Sequence, residues 1–88
     1  MELYFSESEF ESISGDKEAF IREIFKDLMI LFRLEVKSDT EREVYWGSGR
    51  LATVLFESEG NAKVVFVKDD YGRAICGLVK DRHPNKFL

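Results

Sequence analysis

Hydrophobic and polar positions follow a helical period over residues 16–34, DKEAFIREIFKDLMILFRL. In the first half, apolar side chains recur every three or four positions and charged side chains fill the others, as in an amphipathic helix. Asp16 follows a glycine and is placed to cap the helix. The second half, LMILF at 28–32, is apolar all round, which predicts burial against the core or against another chain. We predict one long helix over about 16–34, with a strand beginning at Ile30 as the alternative.

The chain after this helix contains four apolar or β-branched segments separated by short clusters of turn residues. Such segments are typical of strands, and short connections favour antiparallel hairpins in chain order. Pro84 should end the last strand because it cannot donate to a ladder. The predicted four-stranded antiparallel β-meander covers about 43–46, 50–57, 62–68 and 73–80.

The N-terminal arm combines a short strand pattern with a capping signal. ELYF at 2–5 favours a short strand, and Ser6 with Glu9 matches the Ser-x-x-Glu capping box. A short helix over about Glu7–Ile13 is one interpretation, and an acidic loop is the other. Together with the long helix on the meander, these features predict the α+β class and a single domain over 1–88.

Strict alternation of apolar and polar residues is absent from three of the predicted strands. LATVLF at 51–56, VVFV at 64–67 and AICGLV at 74–79 place apolar or small residues on both sides. An antiparallel sheet with one wet face would alternate. We therefore expect both faces to be at least partly covered, one by the long helix. The other would be covered by the N-terminal arm, the C-terminal tail or another protein.

Charge is distributed unevenly along the chain. The net charge is −4, yet the first 16 residues carry five acidic and no basic side chains, so the remaining 72 residues have a net charge of +1. A general nucleic-acid binder would carry a basic stripe to neutralise phosphates, so this balance disfavours that class. An acidic arm suits a protein partner with a basic surface.

Cysteine and histidine usage exclude two kinds of site. One cysteine cannot form an internal disulfide, and one cysteine with one histidine cannot form a zinc cluster. No metal site or cofactor is predicted. The N-terminal MELYFSESEF has neither a basic nor an apolar signal region, and no segment is long enough to span a membrane. We expect a cytoplasmic protein.

Two groups of residues are candidates for binding a partner. Glu7, Glu9 and Glu11 would line one face of an extended arm, with Phe10 as an apolar anchor. Tyr45 and Trp46 are adjacent in a predicted strand, so they point to opposite faces and one of them is available as an interface anchor.

A third group of residues favours a different function. The segment GLVKDRHP at 77–84 resembles the last-strand segment of RelE/ParE-type toxin ribonucleases. That resemblance implies catalysis by Lys80, Arg82 and His83, with the imidazole as base and the cations stabilising the phosphorane. Such toxins are usually basic, whereas this chain is acidic.

These observations rank three functions. The first is a non-enzymatic, acidic inhibitor of the immunity-protein or antitoxin type, which blocks the active cleft of a toxin nuclease. The second is the RelE/ParE-like ribonuclease. The third is a homodimeric structural or adaptor module, which the surplus of apolar positions favours.

Overall fold

Five strands and three helices make up the part of the chain that the structure describes. The computed structural model describes residues 1–26 and 31–83. The predicted α+β class with an antiparallel sheet is confirmed. In chain order the elements are β1 (Glu2–Phe5), α1 (Glu7–Ile13), α2 (Lys17–Phe25), β2 (Phe32–Ser38), β3 (Glu41–Trp46), β4 (Gly49–Phe56), β5 (Ala62–Phe66) and α3 (Asp70–Arg82).

The sheet is an antiparallel meander of β2 to β5, extended by β1 beside β5. Its strand order is β1-β5-β4-β3-β2, and every neighbouring pair is antiparallel. Opposed residues such as Leu3 and Val64, or Val64 and Val54, are almost fully buried on one face. Helices lie on this face, because burying it removes a continuous apolar surface from water.

Aromatic side chains hold α1 and α2 against the sheet. The ring of Phe20 in α2 contacts Phe5 of β1 at 5.1 Å and Phe10 of α1 at 5.1 Å between centroids. Phe10 also meets Phe56 of β4 at 5.6 Å in an edge-to-face arrangement. Such pairs add stabilisation beyond the area that they bury, which matters in a small core.

Two predicted helix starts are confirmed in detail. Ser6 accepts a hydrogen bond from the backbone of Glu9, and the Glu9 carboxylate accepts one from the backbone of Ser6 at 2.8 Å, which completes the capping box of α1. The Asp16 carboxylate accepts a hydrogen bond from the Ala19 backbone at 3.0 Å and so caps α2.

The predicted extension of the long helix to residue 34 is wrong. α2 ends at Phe25, and Phe32–Ser38 forms the edge strand β2. In β2 the even positions are apolar up to Val36 and the odd positions are charged up to Lys37, which is a period of two and not of 3.6. Residues 27–30, where the apolar stretch begins, lie outside the described residues.

The predicted strand at 73–80 is also wrong, because this segment lies within α3. Asp69 caps the helix by accepting a hydrogen bond from the Gly72 backbone at 2.7 Å. Ile75, Cys76 and Val79 share the buried side at helical spacing. Gly72 is required because a Cβ there would lie 2.0 Å from the backbone oxygen of Val67. Pro84, predicted to end a strand, lies outside the described residues.

The second face of the sheet differs from the expectation that it would be covered. β1 extends the sheet and α1 packs on the helix-covered face, so neither lies over the other face in the described part of the chain. That face, called the open face here, presents half-buried side chains in its centre. Much of the apparent surplus of apolar positions disappears because 74–79 is helical. The residues at the centre of the open face are Tyr4, Thr53, Leu55 and Val65.

Candidate functional site

Four exposed carboxylates lie on α1 and on the turn between β4 and β5, two segments that meet where Glu7 contacts Gly60. We call this cluster the acidic end; its members are Glu7, Glu11, Glu57 and Glu59. Strand pairing creates it: Phe5 opposes Ala62, so the chain leaves β1 beside the start of β5 and α1 begins next to the turn. Glu7 lies so close to the turn that a Cβ on Gly60 would be 2.8 Å from its side chain.

The turn itself is fixed by hydrogen bonds and by a left-handed glycine. The Gly60 backbone donates to the Glu57 carbonyl at 2.9 Å, and the Glu57 backbone donates to the Asn61 carbonyl at 2.9 Å. Gly60 has φ of +92°, a conformation that other residues adopt only with strain. Asn61 also donates through its side-chain amide to the Glu57 carboxylate. The acidic end therefore presents its carboxylates from a defined backbone.

Carboxylates of the acidic end take part in none of the ion pairs found among residues 1–26 and 31–83. Four like charges on two adjoining segments produce a negative potential at this end of the molecule. Glu57 and Glu59 were not among the residues predicted from the sequence. Their contribution depends on the pairing of β1 with β5, which connects segments almost 60 residues apart.

The other two arm residues predicted to bind a partner are engaged within the fold. The Glu9 carboxylate belongs to the capping box of α1. Phe10 is 8% exposed and packs against Phe20 and Phe56. Glu7 and Glu11 are therefore the part of the predicted arm surface that solvent and a partner can reach.

Tyr45 and Trp46 point to opposite faces of the sheet. Tyr45 lies on the open face, where its hydroxyl donates to Glu43 at 2.8 Å. Trp46 packs at the margin of the core, and its ring meets Tyr71 of α3 at 4.9 Å and 85°. Both side chains are half-buried. The two residues therefore belong to separate surfaces, and a single partner would have to reach around the β3–β4 hairpin to contact both.

Charges on the open face are linked into a network across β2, β3 and β4. We call it the open-face network; its centre is the Glu43 carboxylate, which lies 3.2 Å from Arg50 and 3.4 Å from Lys37. The hydrogen bond from Tyr45, followed by those from Arg50 and Lys37, lowers the pKa of Glu43 against the opposing effect of burial. The same bond raises the pKa of Tyr45. The members are Arg33, Glu35, Lys37, Glu43, Tyr45 and Arg50.

The three residues of the ribonuclease hypothesis lie on α3 and at its end, and their side chains have separate surroundings. Arg82 donates to the carbonyls of Glu23 at 3.4 Å and of Lys26, and so caps the C-terminus of α2. His83 stacks edge-on against Phe5 at 5.6 Å. Lys80 lines a groove between β1 and α3.

Burial shifts the pKa values of two side chains that could otherwise act in catalysis, His83 and Cys76. The Nε2 atom of His83 is buried and has no hydrogen-bond partner among the described residues. Burial, reinforced by the neighbouring Arg82, lowers the pKa of His83 and so disfavours the charged imidazolium. Burial also raises the pKa of the Cys76 thiol, which disfavours the nucleophilic thiolate.

The described residues contain neither a metal-binding cluster nor a membrane-spanning helix. Within 1–26 and 31–83, no group of three histidine, cysteine or acidic residues is arranged to hold a metal ion. No helix in the described part of the chain is both long and apolar enough to cross a membrane. Comparison with protein-family models, with curated proteins and with solved structures found no match.

Proposed function

We propose that this protein is a non-enzymatic inhibitor that binds a basic protein through the acidic end, in the manner of an immunity protein or antitoxin on a toxin nuclease. The observation that carries the proposal is the contact of Glu7 with the turn that holds Glu57 and Glu59, with Glu11 one helical turn further along α1. All four side chains are exposed and outside the ion pairs of the described residues. Such a cluster accelerates encounter with a basic surface and disfavours neutral or acidic partners.

The cleft of a nuclease is a suitable target because it is built to hold phosphates. Cations that neutralise nucleic-acid phosphates form a basic groove, and carboxylates presented on a rigid turn and helix can occupy the same positions. Gly60 and the capping box of α1 hold the backbone of this surface in place before binding. Preorganisation of this kind lowers the ordering cost of association.

Two features favour binding over catalysis. Arg82 is occupied by the carbonyls at the end of α2, and His83 is stacked on Phe5, so the two side chains are not directed at a common substrate position. The Cys76 thiol is buried. We place the activity in the cytoplasm, because a single buried cysteine suits a reducing compartment.

Neutralisation of a toxin tests the proposal. Each gene adjacent to the one that encodes this chain is expressed alone and then with this chain, and growth is recorded. We expect one neighbour to arrest growth and this chain to restore it. If the chain itself arrests growth, or if no neighbouring product is neutralised, the inhibitor function is refuted and the ribonuclease alternative gains support in the first case.

A charge-matched pair of variants identifies the surface responsible. The triple variant Glu7→Gln, Glu11→Gln, Glu59→Gln removes three of the four charges of the acidic end, and Asp39→Asn, Glu41→Gln, Asp70→Asn removes the same charge elsewhere. We expect the affinity for the toxin at low salt to fall at least about 100-fold in the first and less than about threefold in the second. If both variants lost the same affinity, binding would depend on net charge alone and the acidic end would not be the binding surface.

A further inference from the structure

The free edge of β1 carries unused backbone hydrogen-bonding groups in the described part of the chain. The backbone N–H of Phe66 donates to the Met1 carbonyl at 2.9 Å, which sets the alternation of the β1–β5 ladder. Leu3 and Phe5 then bond to β5, whereas the N–H and C=O groups of Glu2 and Tyr4 point away from it. An edge with this arrangement can pair with another strand.

A groove of about 400 Å³ lies between this edge and α3. We call it the β1–α3 groove; Met1, Glu2, Leu3, Arg73, Cys76, Gly77 and Lys80 line it. Leu3 and Cys76 form an apolar floor, being 1% and 7% exposed. A Cβ added at Gly77 would meet nothing within 4 Å, so the middle of the helix wall is open. The groove therefore combines a strand edge with space for side chains above it.

Cations stand at both ends of the helix wall. Arg73 and Lys80 are seven residues apart, which separates them by about 10.5 Å along α3. Arg73 pairs with Asp70 at 3.1 Å, but both side chains are largely exposed, so the pair is weak and can be exchanged for another carboxylate. In an added strand, residues i and i+4 point to the same side about 13 Å apart, within reach of these long side chains.

We propose that the β1–α3 groove binds an extended acidic segment of another protein by strand addition. The segment has the pattern acidic-x-apolar-x-acidic. Its backbone pairs with Glu2 and Tyr4, its apolar side chain lies over Leu3, Cys76 and Gly77, and its two carboxylates meet Arg73 and Lys80. This mode gives affinity through the main chain and specificity through alternate side chains. The proposal goes beyond the inhibitor function and does not depend on the acidic end.

A second copy of this chain is the competing occupant of the same edge. Pairing β1 with β1 about a two-fold axis would place Leu3 against its counterpart and bring both α3 helices to one groove. The Arg73 and Lys80 side chains of the two copies would then face each other, and like charges in one groove repel. Charge complementarity therefore favours an acidic segment of a different protein.

Fluorescence anisotropy tests the proposal with a short labelled peptide, threonine at the x positions, valine in the centre and glutamate at the two acidic positions. Gly77→Phe should fill the groove and raise the Kd at least about tenfold, whereas Gly77→Ala should leave it within about twofold. Arg73→Gln should weaken binding, as should lysine in place of both glutamates. Methylation of the peptide's pairing backbone nitrogens should abolish binding, because it removes the main-chain donors.

Several results would overturn the proposal. One is absence of binding by the glutamate peptide; another is equal binding to the Gly77→Phe and Gly77→Ala variants, both confirmed to be folded by circular dichroism. Tolerance of backbone methylation would show a purely electrostatic contact. A concentration-dependent dimer in sedimentation velocity that Gly77→Phe dissociates would assign the edge to a second copy instead.

Discussion

The open-face network and the acidic end both present carboxylates at the surface, but they differ in their partners. In the network, Glu35 and Glu43 lie within ion-pair distance of Arg33, Lys37 or Arg50. At the acidic end the four carboxylates belong to no ion pair of the described residues. Charges that are compensated within the fold contribute to its stability, whereas uncompensated ones produce a field that another molecule can use.

Two arginines with partners inside the fold differ in burial, and burial increases the free energy that is lost when a hydrogen-bond partner is removed. Arg42 on the helix-covered face is 8% exposed, and its Nε atom donates to Glu18 of α2 while its Nη1 atom donates to the Ser38 carbonyl at 2.6 Å. Arg82 is exposed, and its hydrogen bonds within the described residues are to backbone carbonyls. We therefore expect replacement of these arginines to lower the free energy of unfolding by an amount that increases with burial and with the number of hydrogen-bond partners.

Replacing Arg42 should have the largest effect on stability. In Arg42→Met, the Glu18 carboxylate and the Ser38 carbonyl lose a buried donor, although water can reach both acceptors, so the free energy of unfolding should fall by about 1.5–3 kcal/mol. Urea denaturation measures the change. Arg22→Met, the same substitution at an exposed position of α2, should change it by less than about 0.5 kcal/mol. If Arg42→Met and Arg22→Met lost similar amounts of stability, the claim that burial determines the size of the effect would be wrong.

Replacing Arg82 should have the next largest effect. Arg82→Gln removes the guanidinium from the carbonyls at the end of α2, which should lower the free energy of unfolding by about 1–2 kcal/mol. Arg73→Gln on the same helix, where the arginine meets only an exposed aspartate in the described structure, should cost less than about 0.5 kcal/mol. If Arg82→Gln were as mild as Arg73→Gln, the capping role would be wrong.

The ion-paired carboxylates should make the stability of the fold depend on pH. Hydrogen bonds from Arg42 and from Tyr45, respectively, hold the pKa values of Glu18 and Glu43 below 4.5, the ordinary value of a glutamate side chain. A lowered pKa gives stability that is present above pH 4.5 and is lost as the pH falls through the lower, folded-state value. Urea midpoints should therefore fall more steeply with acidification in the parent chain than in the Glu18→Gln, Glu43→Gln variant. If the urea midpoints of the two proteins fell in parallel with pH, the stabilising role of these two carboxylates would be refuted.

Shorter-range patterns predicted much of this fold correctly. The capping box at Ser6 and Glu9 and the cap at Asp16 depend on residues three positions apart, so the sequence specifies them locally. The strands at 41–46, 49–56 and 62–66 are bounded by turn residues and match the predicted segments closely. These elements could be predicted because the local sequence preferences and the tertiary contacts favour the same structure.

Tertiary contacts decided the two elements that were predicted wrongly. The apolar run before Phe32 continues the helical pattern, and the alternation from Phe32 to Lys37 becomes decisive only when β3 is available to pair with it. In α3, the cluster DDYG at 69–72 suggests a turn and the apolar or small residues at 74–79 suggest a strand. Gly72 instead permits close packing on Val67, and the periodicity of Ile75, Cys76 and Val79 indicates a helix.

The candidate site was predictable only in part, for the same physical reason. Glu7 and Glu11 stand out as an acidic arm in the sequence, but Glu57 and Glu59 join them only through the pairing of β1 with β5. Tyr45 and Trp46 were expected on opposite faces, and strand geometry alone is sufficient for that prediction. When a helix is capped by a residue far away in the sequence, as α2 is capped by Arg82, the sequence around the helix gives no sign of it.

Neutralising three carboxylates of the acidic end should have the smallest effect on stability. Comparing it with the neutralisation of three ion-paired carboxylates tests most directly whether the acidic end is uncompensated. Urea midpoints are measured for Glu7→Gln, Glu11→Gln, Glu59→Gln and, in parallel, for Glu18→Gln, Glu35→Gln, Glu43→Gln. We expect the acidic-end variant to stay within about 1 kcal/mol of the parent, because relief of repulsion offsets the helix-dipole term of Glu7. The variant with three paired carboxylates neutralised should be clearly less stable. Equal losses, or a greater loss at the acidic end, would contradict the claim that its carboxylates are free to bind a partner.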